Sequence, residues 1–362
     1  MDPIRVLIID DSSLMRKLIR TIFEKTDDIE VAATALNGIF GLHKMDSRNP
    51  DVIILDLEMP EMNGLDFLKE KKKRGNNTPV IILSSVAQKG AAITMQALAS
   101  GASDFLLKPS TGEASDISRI SSQLIDLVRI YGLKEKEKKK SIPREEDAVY
   151  TKAYIPKKPQ QIIKKKVPKR NTETIEIIAI GISTGGPNAL RSVFSRIRSD
   201  MPVPIIVVQH MPKGFTEEFA NSLNKICPLD VKEAVEGDII RPGRILIAPG
   251  DRHIQVKARP LANIVSLNDG PPQNGHRPSA GVLFTSVAET YQNRSMAFIM
   301  TGMGKDGAIE IGMIYEEGGI TIAQDEKSCV VFGMPKVAIE QGNIHKVIAL
   351  EEIAEFINTI NN

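Results

Sequence analysis

The chain has 362 residues, 42% hydrophobic and 25% charged, with five His, two Cys and no Trp. This composition excludes a disordered or fibrous chain, and at about 100–200 residues per domain the length predicts two or three domains. The formal charge of +2 is a cancellation, because residues 134–170 carry +9 while 1–133 carry −2 and 171–362 carry −5.

Cys227 and Cys329 lie far apart with no CxxC spacing. That excludes a disulfide framework and a cysteine-rich zinc module, and fits a reducing compartment. No apolar run approaches the roughly 20 residues of a membrane span. The first apolar stretch, 6–9, runs straight into Asp10-Asp11, unlike a signal peptide. A cytoplasmic chain without membrane insertion is expected.

In chain order, apolar runs at 4–9, 29–33, 52–55, 80–83 and 105–107 alternate with helical periodicity. Five βα units of this kind predict an α/β domain over 1–131, with a five-stranded parallel sheet covered by helices on both faces. Pro and Lys then dominate 132–172, and such a segment is too poor in apolar residues to offset its ordering entropy. It reads as a basic flexible linker. Contact with nucleic acid or an anionic membrane surface is the alternative for the linker, though no nucleic-acid partner is expected for the chain. Beyond it, runs at 175–180, 204–208, 245–248, 296–300 and 320–323 predict a second, doubly wound, mostly parallel α/β domain over 173–362. Alternation with turn signals at 251–267 predicts an antiparallel insertion.

In the first domain the chemistry gathers at strand ends. Asp10 and Asp11 end the first strand and Asp56 the third, so three carboxylates meet at one carboxyl edge. They need a cation, and an oxygen-only donor set suits Mg²⁺. Ser84, with Ser85 beside it, ends the fourth strand, and Lys108 follows the fifth, placing a hydroxyl and an ammonium to bind phosphoryl oxygens on Asp56.

With these residues in view, 1–130 resembles a response-regulator receiver domain: the Asp10-Asp11 pair, LDLEMPEMNG around Asp56, a hydroxyl at Ser84 and Lys108-Pro109. The resemblance implies a flavodoxin-like fold and phosphorylation of Asp56 by a histidine kinase with Mg²⁺ bound. It also implies movement of Ser84 and an aromatic residue on phosphorylation; Phe105 is either that aromatic or plain core.

In the second domain, Gly181-Ile182-Ser183-Thr184-Gly185-Gly186-Pro187 joins a strand to a helix. A serine on such a turn lies beside backbone N–H groups that suit a nucleophile and its oxyanion. A phosphate-binding loop uses similar residues, but neither G-x-x-x-x-G-K-[ST] nor G-x-G-x-x-G is present. Of the five histidines, His210 directly follows the next strand and is the candidate base. Asp306, after the strand at 296–300, is the candidate orienting acid. The order Ser, His, Asp differs from that of α/β-hydrolases. A non-enzymatic regulator and a nucleotide-binding output are the rival readings.

GISTGG, QHMPKGFTEEFANSLN, IAPGDRH, HRPS, TGMGKDGA and TIAQDEKSCVVFGMP together resemble the catalytic domain of the CheB family of chemotaxis methylesterases. The resemblance implies a phosphorylation-activated esterase acting on glutamyl methyl esters of chemoreceptors, with deamidation of selected glutamines by the same acyl route. It implies Ser183 as nucleophile, His210 as base, Asp306 as acid, the Met303 N–H in the oxyanion hole, and Thr184 and Arg277 in the substrate region. It further implies no cofactor for hydrolysis, a monomer, a chemotaxis histidine kinase as phosphodonor and recruitment to receptor arrays. Two positions depart from the family, Ile182 in place of Ala and Gly281 where an acidic residue stands nearby.

Overall fold

A computed structural model describes residues 2–85, 88–108, 114–141 and 174–360. The chain forms two units, Met1–Pro159 and Gln160–Asn362.

In the first unit β1 (Ile4–Ile9), β2 (Ile29–Ala35), β3 (Val52–Asp56), β4 (Val80–Ser84) and β5 (Asp104–Leu107) form one parallel sheet in the order β2-β1-β3-β4-β5. The runs VIILD and VIILS are buried at every position, as strands covered on both faces must be. The helices α1 (Ser13–Phe23), α2 (Gly38–Arg48), α3 (Gly64–Lys73), α4 (Gln88–Ala99) and α5 (Ala114–Ser141) alternate with these strands. Ser12, Asn37 and Asn63 cap α1, α2 and α3 by accepting from backbone N–H groups of the first turn. The strand order reverses between β1 and β3, which opens a crevice at their carboxyl ends, where Asp10 and Asp56 stand.

The domain boundary expected at 131 falls inside α5, which continues to Ser141. The lysine run is not all linker, because its stems lie along the receiver-like unit. Lys139 Nζ donates to Asp51 Oδ1 at 3.0 Å and to Pro50 O at 2.9 Å, Lys136 Nζ donates to Pro3 O at 2.8 Å, and Glu135 is buried. Residues 142–172 of the expected linker lie outside the described residues.

In the second unit β6 (Ile177–Ile182), β7 (Ile205–Gln209), β8 (Asp230–Glu233), β9 (Arg244–Ile247), β12 (Ser295–Ile299), β13 (Ile320–Gln324) and β14 (Lys346–Ile348) form a parallel sheet. Its order is β14-β13-β12-β6-β7-β9-β8. The expected antiparallel insertion is the hairpin of β10 (His253–Lys257) and β11 (Ile264–Asn268). The edge strands β8 and β14, absent from the sequence reading, are short and half-exposed, so they lack a continuous apolar run. Packed with the sheet are α6 (Gly186–Phe194), α7 (Phe215–Asn224), α8 (Ala280–Tyr291), α9 (Ile311–Glu316), α10 (Met334–Glu340) and α11 (Leu350–Asn358).

From β6 the chain first builds outward through β7, then returns to add β12 on the other side. The switch point is therefore β6 itself. Helix α8 lies against it so closely that a Cβ on Gly181 would come within 2.7 Å of Ala280 Cβ. Among the described residues no helix is long and apolar enough to cross a membrane.

Candidate active site and phosphoacceptor site

Three adjacent strands deliver the second unit's polar residues to one edge. Ser183 follows β6, His210 follows β7, and Asp306 lies in the turn after β12. Backbone bonds lock these turns together: His210 N donates to Ile182 O at 3.2 Å and Ser183 N to Thr301 O at 2.9 Å. Gly302 permits the closest approach, since a Cβ there would sit 2.8 Å from Ser183 Cβ and 2.3 Å from Met334 Sδ. Gly185, at φ +75°, starts α6, with Pro187 in its first turn.

Asp306 is fully buried and saturated with donors. It accepts from His210 Nε2 at 2.7 Å, Ser279 Oγ at 2.5 Å and Ala280 N at 2.7 Å. Burial pushes its carboxyl up, but the bond to His210 and that residue's charge, with the Ser279 and Ala280 donors, hold it below the usual carboxylate value. An ionised carboxylate only accepts, so Nε2 is the hydrogen-bearing nitrogen toward Asp306, and in the neutral imidazole Nδ1 holds the lone pair. Nδ1 is buried without a hydrogen-bond partner among the described residues, so the Ser183–His210 bond is not made in this conformation. Catalytic hydrogen bonds commonly tighten only when substrate arrives.

Met303 lies in the adjoining turn, 41% exposed, ahead of Gly304 at φ +81°. Thr184 borders Ser183 and its carbonyl accepts from Thr301 Oγ1 at 2.9 Å. Arg277 donates from its guanidinium to Asp251 Oδ1 at 2.6 and 2.9 Å and to the carbonyls of Asp269 and Gly270 at 3.1 Å. At Gly281 a carboxylate arrives from elsewhere in the chain: a Cβ there would stand 2.8 Å from Glu310 Cδ. Ile182 is wholly buried.

Sequence reasoning passed over three contributors. Gln209, buried at the end of β7, donates from Nε2 to both Ser183 O and His210 O at 3.1 Å and so joins the two turns. Ser279 caps α8 while holding Asp306. His276 stacks on His210, with centroids 3.7 Å apart. The Ser279 cap before an apolar helix was readable as a start signal. The other two depend on tertiary approach and leave no local pattern.

In the first unit Asp10, Asp11 and Asp56 each bring a carboxylate oxygen within 4.8 Å of the others. Lys108 Nζ lies 2.6 Å from Asp56 Oδ2 and 3.2 Å from Asp10 Oδ2. Burial, reinforced by Asp56's charge, raises the Asp10 carboxyl despite Lys108. Lys108 is pulled up by the two carboxylates against the effect of its own burial. Two buried carboxylates, Asp10 and Asp56, and the exposed Asp11 repel one another, and such an oxygen set fits a divalent hard cation such as Mg²⁺. Gly64 lets α3 begin against this turn, because a Cβ there would be 2.4 Å from Asp56 O. Ser84 is buried, and its Oγ accepts from Thr94 Oγ1 at 2.6 Å. Its hydroxyl is thus engaged with α4. Phe105, half-buried, pairs in register with Ile82. Pro109 lies outside the described residues.

Comparison with known proteins gives two family matches, CheB methylesterase over residues 178–357 and response regulator receiver domain over residues 6–116. A Treponema denticola protein-glutamate methylesterase/protein-glutamine glutaminase is 51% identical over 366 residues, 99% of this chain and 98% of that one. One from Treponema pallidum is 45% identical over 393 residues, 99% and 97% of the two chains. The crystal structure of the Thermotoga maritima CheB methylesterase catalytic domain matches with a TM-score of 0.51 at 39% identity, covering 52% of this chain and all of that one. With a receiver domain, a methylesterase domain and end-to-end likeness to such relatives, the chain belongs to the CheB family of protein-glutamate methylesterases/protein-glutamine glutaminases.

Proposed function

We propose that this chain is a phosphorylation-activated serine hydrolase that removes the methyl group from γ-glutamyl methyl esters of chemoreceptors. The observation that carries the reading is the buried His210–Asp306 pair at 2.7 Å, whose Nδ1 has no hydrogen-bond partner among the described residues and which follows the strand beside that of Ser183.

Ser183 Oγ attacks the ester carbonyl carbon while His210 Nδ1 takes the hydroxyl proton. Asp306 holds the resulting imidazolium. The oxyanion points at the Met303 N–H, with Thr184 bordering the site. The C–O bond to the methoxy group breaks, and His210 returns its proton so that methanol leaves. Water, deprotonated by the same nitrogen, then attacks the acyl-serine and releases the glutamate carboxylate and Ser183. A glutamine side chain enters the same route, with ammonia leaving in place of methanol.

In the receiver, Asp56 accepts the phosphoryl group from the phosphohistidine of a histidine kinase. Asp10, Asp11 and Asp56 would hold Mg²⁺, which when bound neutralises phosphoryl oxygens and the clustered carboxylates. Lys108 pairs with a phosphoryl oxygen, and Ser84 donates its hydroxyl hydrogen to another. Phosphorylation biases the chain toward its active state, a coupling of about 1–3 kcal/mol. On this reading the enzyme works in two-component chemotaxis signalling in the cytoplasm, recruited to receptor arrays, as a monomer with no nucleic-acid partner.

The test is methanol release from membranes bearing methyl-labelled receptors, with and without a small phosphodonor and Mg²⁺. Release that phosphodonor stimulates and Ser183→Ala abolishes is the expected result. Full release by Ser183→Ala removes the triad, and ATP binding at GISTGG without esterase activity would favour a nucleotide-binding output.

A further inference from the structure

His276 has no part in the triad, yet it lies flat on the base. Its ring centroid is 3.7 Å from that of His210 and the two planes differ by 7°. It sits on the loop between β11 and α8, in a bridge where Gln273 and His276 exchange backbone bonds of 3.0 and 2.9 Å. The next residue, Arg277, is clamped to Asp251, and two residues further Ser279 grips Asp306. One loop therefore holds the orienting acid at one end and covers the base at the other. His210 has one edge on Asp306 and the other free for the serine proton, so rotation about its ring axis is restrained from the faces. His276 occupies one face.

Resting on the triad reading above, we propose that His276 is a positioning residue for the base, a planar plate that fixes the ring plane of His210 toward Ser183 and keeps water from its face. His210 and Asp306 are the titratable groups that face it. Burial and the neighbouring His210 push the His276 imidazole down to about 4, against the pull of Asp306. Near neutral pH the plate is uncharged and offers the transient imidazolium a π face rather than a second cation.

The experiment follows methanol release by the full chain from methyl-labelled receptor membranes across pH, with His276→Ala, His276→Phe and His276→Arg. Loss of the plate in His276→Ala lowers kcat about tenfold through misorientation of the base, with KM nearly unchanged. The acid limb of kcat/KM moves to higher pH, because water now solvates the imidazolium. His276→Phe restores most of kcat and returns the limb toward the wild-type position. His276→Arg, flat but cationic, moves the limb to lower pH. Circular dichroism melts report folding, and if His276→Ala unfolds, the other two variants decide: the limb stays near the wild-type position in His276→Phe and falls to lower pH in His276→Arg, and an unmoved limb in a folded His276→Arg overturns the proposal. Unchanged kcat and pH limb in His276→Ala overturns the proposal, as does a folded His276→Phe no better than His276→Ala. Activity surviving in Ser183→Ala would instead overturn the triad reading, so the two failures are separable.

Discussion

Ser279→Ala tests how the acid of the site is held. The hydroxyl does two things at once: it accepts from Gly281 N at 3.1 Å as the cap of α8 and donates to the buried Asp306 at 2.5 Å. Loss of a serine cap costs about 1 kcal/mol. Loss of a hydrogen bond to a buried charge costs about 1.5–3 kcal/mol. The variant should lose about 3 kcal/mol, which for a unit of this size lowers the melting temperature by about 6–12 °C. Asp306 is held below the ordinary carboxylate value, so its stabilising share is present above pH 3.8 and is lost as pH falls through the depressed folded value. Removing one donor raises that folded value toward 3.8 and erodes the share. The gap between variant and wild type should thus be widest near neutral pH and shrink in acid toward the helix-cap loss of about 1 kcal/mol. The chain has no Trp, so far-ultraviolet circular dichroism during urea and thermal unfolding is the assay. A variant melting within about 2 °C of wild type at pH 7, or a gap independent of pH, would refute the reasoning.

Gln209→Met keeps bulk but deletes the bonds to Ser183 O and His210 O; kcat for methanol release should fall about 10-fold or more while KM holds. Gly302→Ala should inactivate more deeply, because its methyl would overlap Met334 and crowd Ser183; a serine-directed phosphonate should then label Ser183 slowly. Millimolar Mg²⁺ should raise the melting temperature of the receiver, by about 2.7 kcal/mol of stability at 100-fold excess over Kd, and Asp11→Asn should weaken that response. A receiver ending at residue 131 should melt below one ending at 141, because it loses the Lys139–Asp51 ion pair and the Lys136 bonds at the sheet's amino edge.

The strand ends were legible because buried parallel strands are written as unbroken apolar runs, and the residue that ends a run is the residue at the crevice. Asp10, Asp56, Ser84, Ser183 and His210 were all found in this way. Asp306 needed the longer motif, since six residues separate it from Ile299 at the end of β12. What stayed hidden was held by surroundings rather than by pattern. Lysines 136 and 139 look solvated until Pro3, Pro50 and Asp51 are seen to receive them. The contacts of Arg277 to Asp251 and two carbonyls are likewise unreadable from its motif. The stack of His276 on His210 joins residues of two separate loops, and neither loop announces the other.

The pairing of His210 with Asp306 spans 96 positions of chain. At synthesis rates of about 5–20 residues per second, the acid is made roughly 5–20 s after the base. A nascent chain therefore carries its serine and histidine together before it can act on either. Contacts of such long sequence separation also form slowly, since loop closure precedes any reward from pairing. Recovered hydrolysis during refolding would consequently time the docking of β12 beside β6, the step that joins the two halves of the sheet.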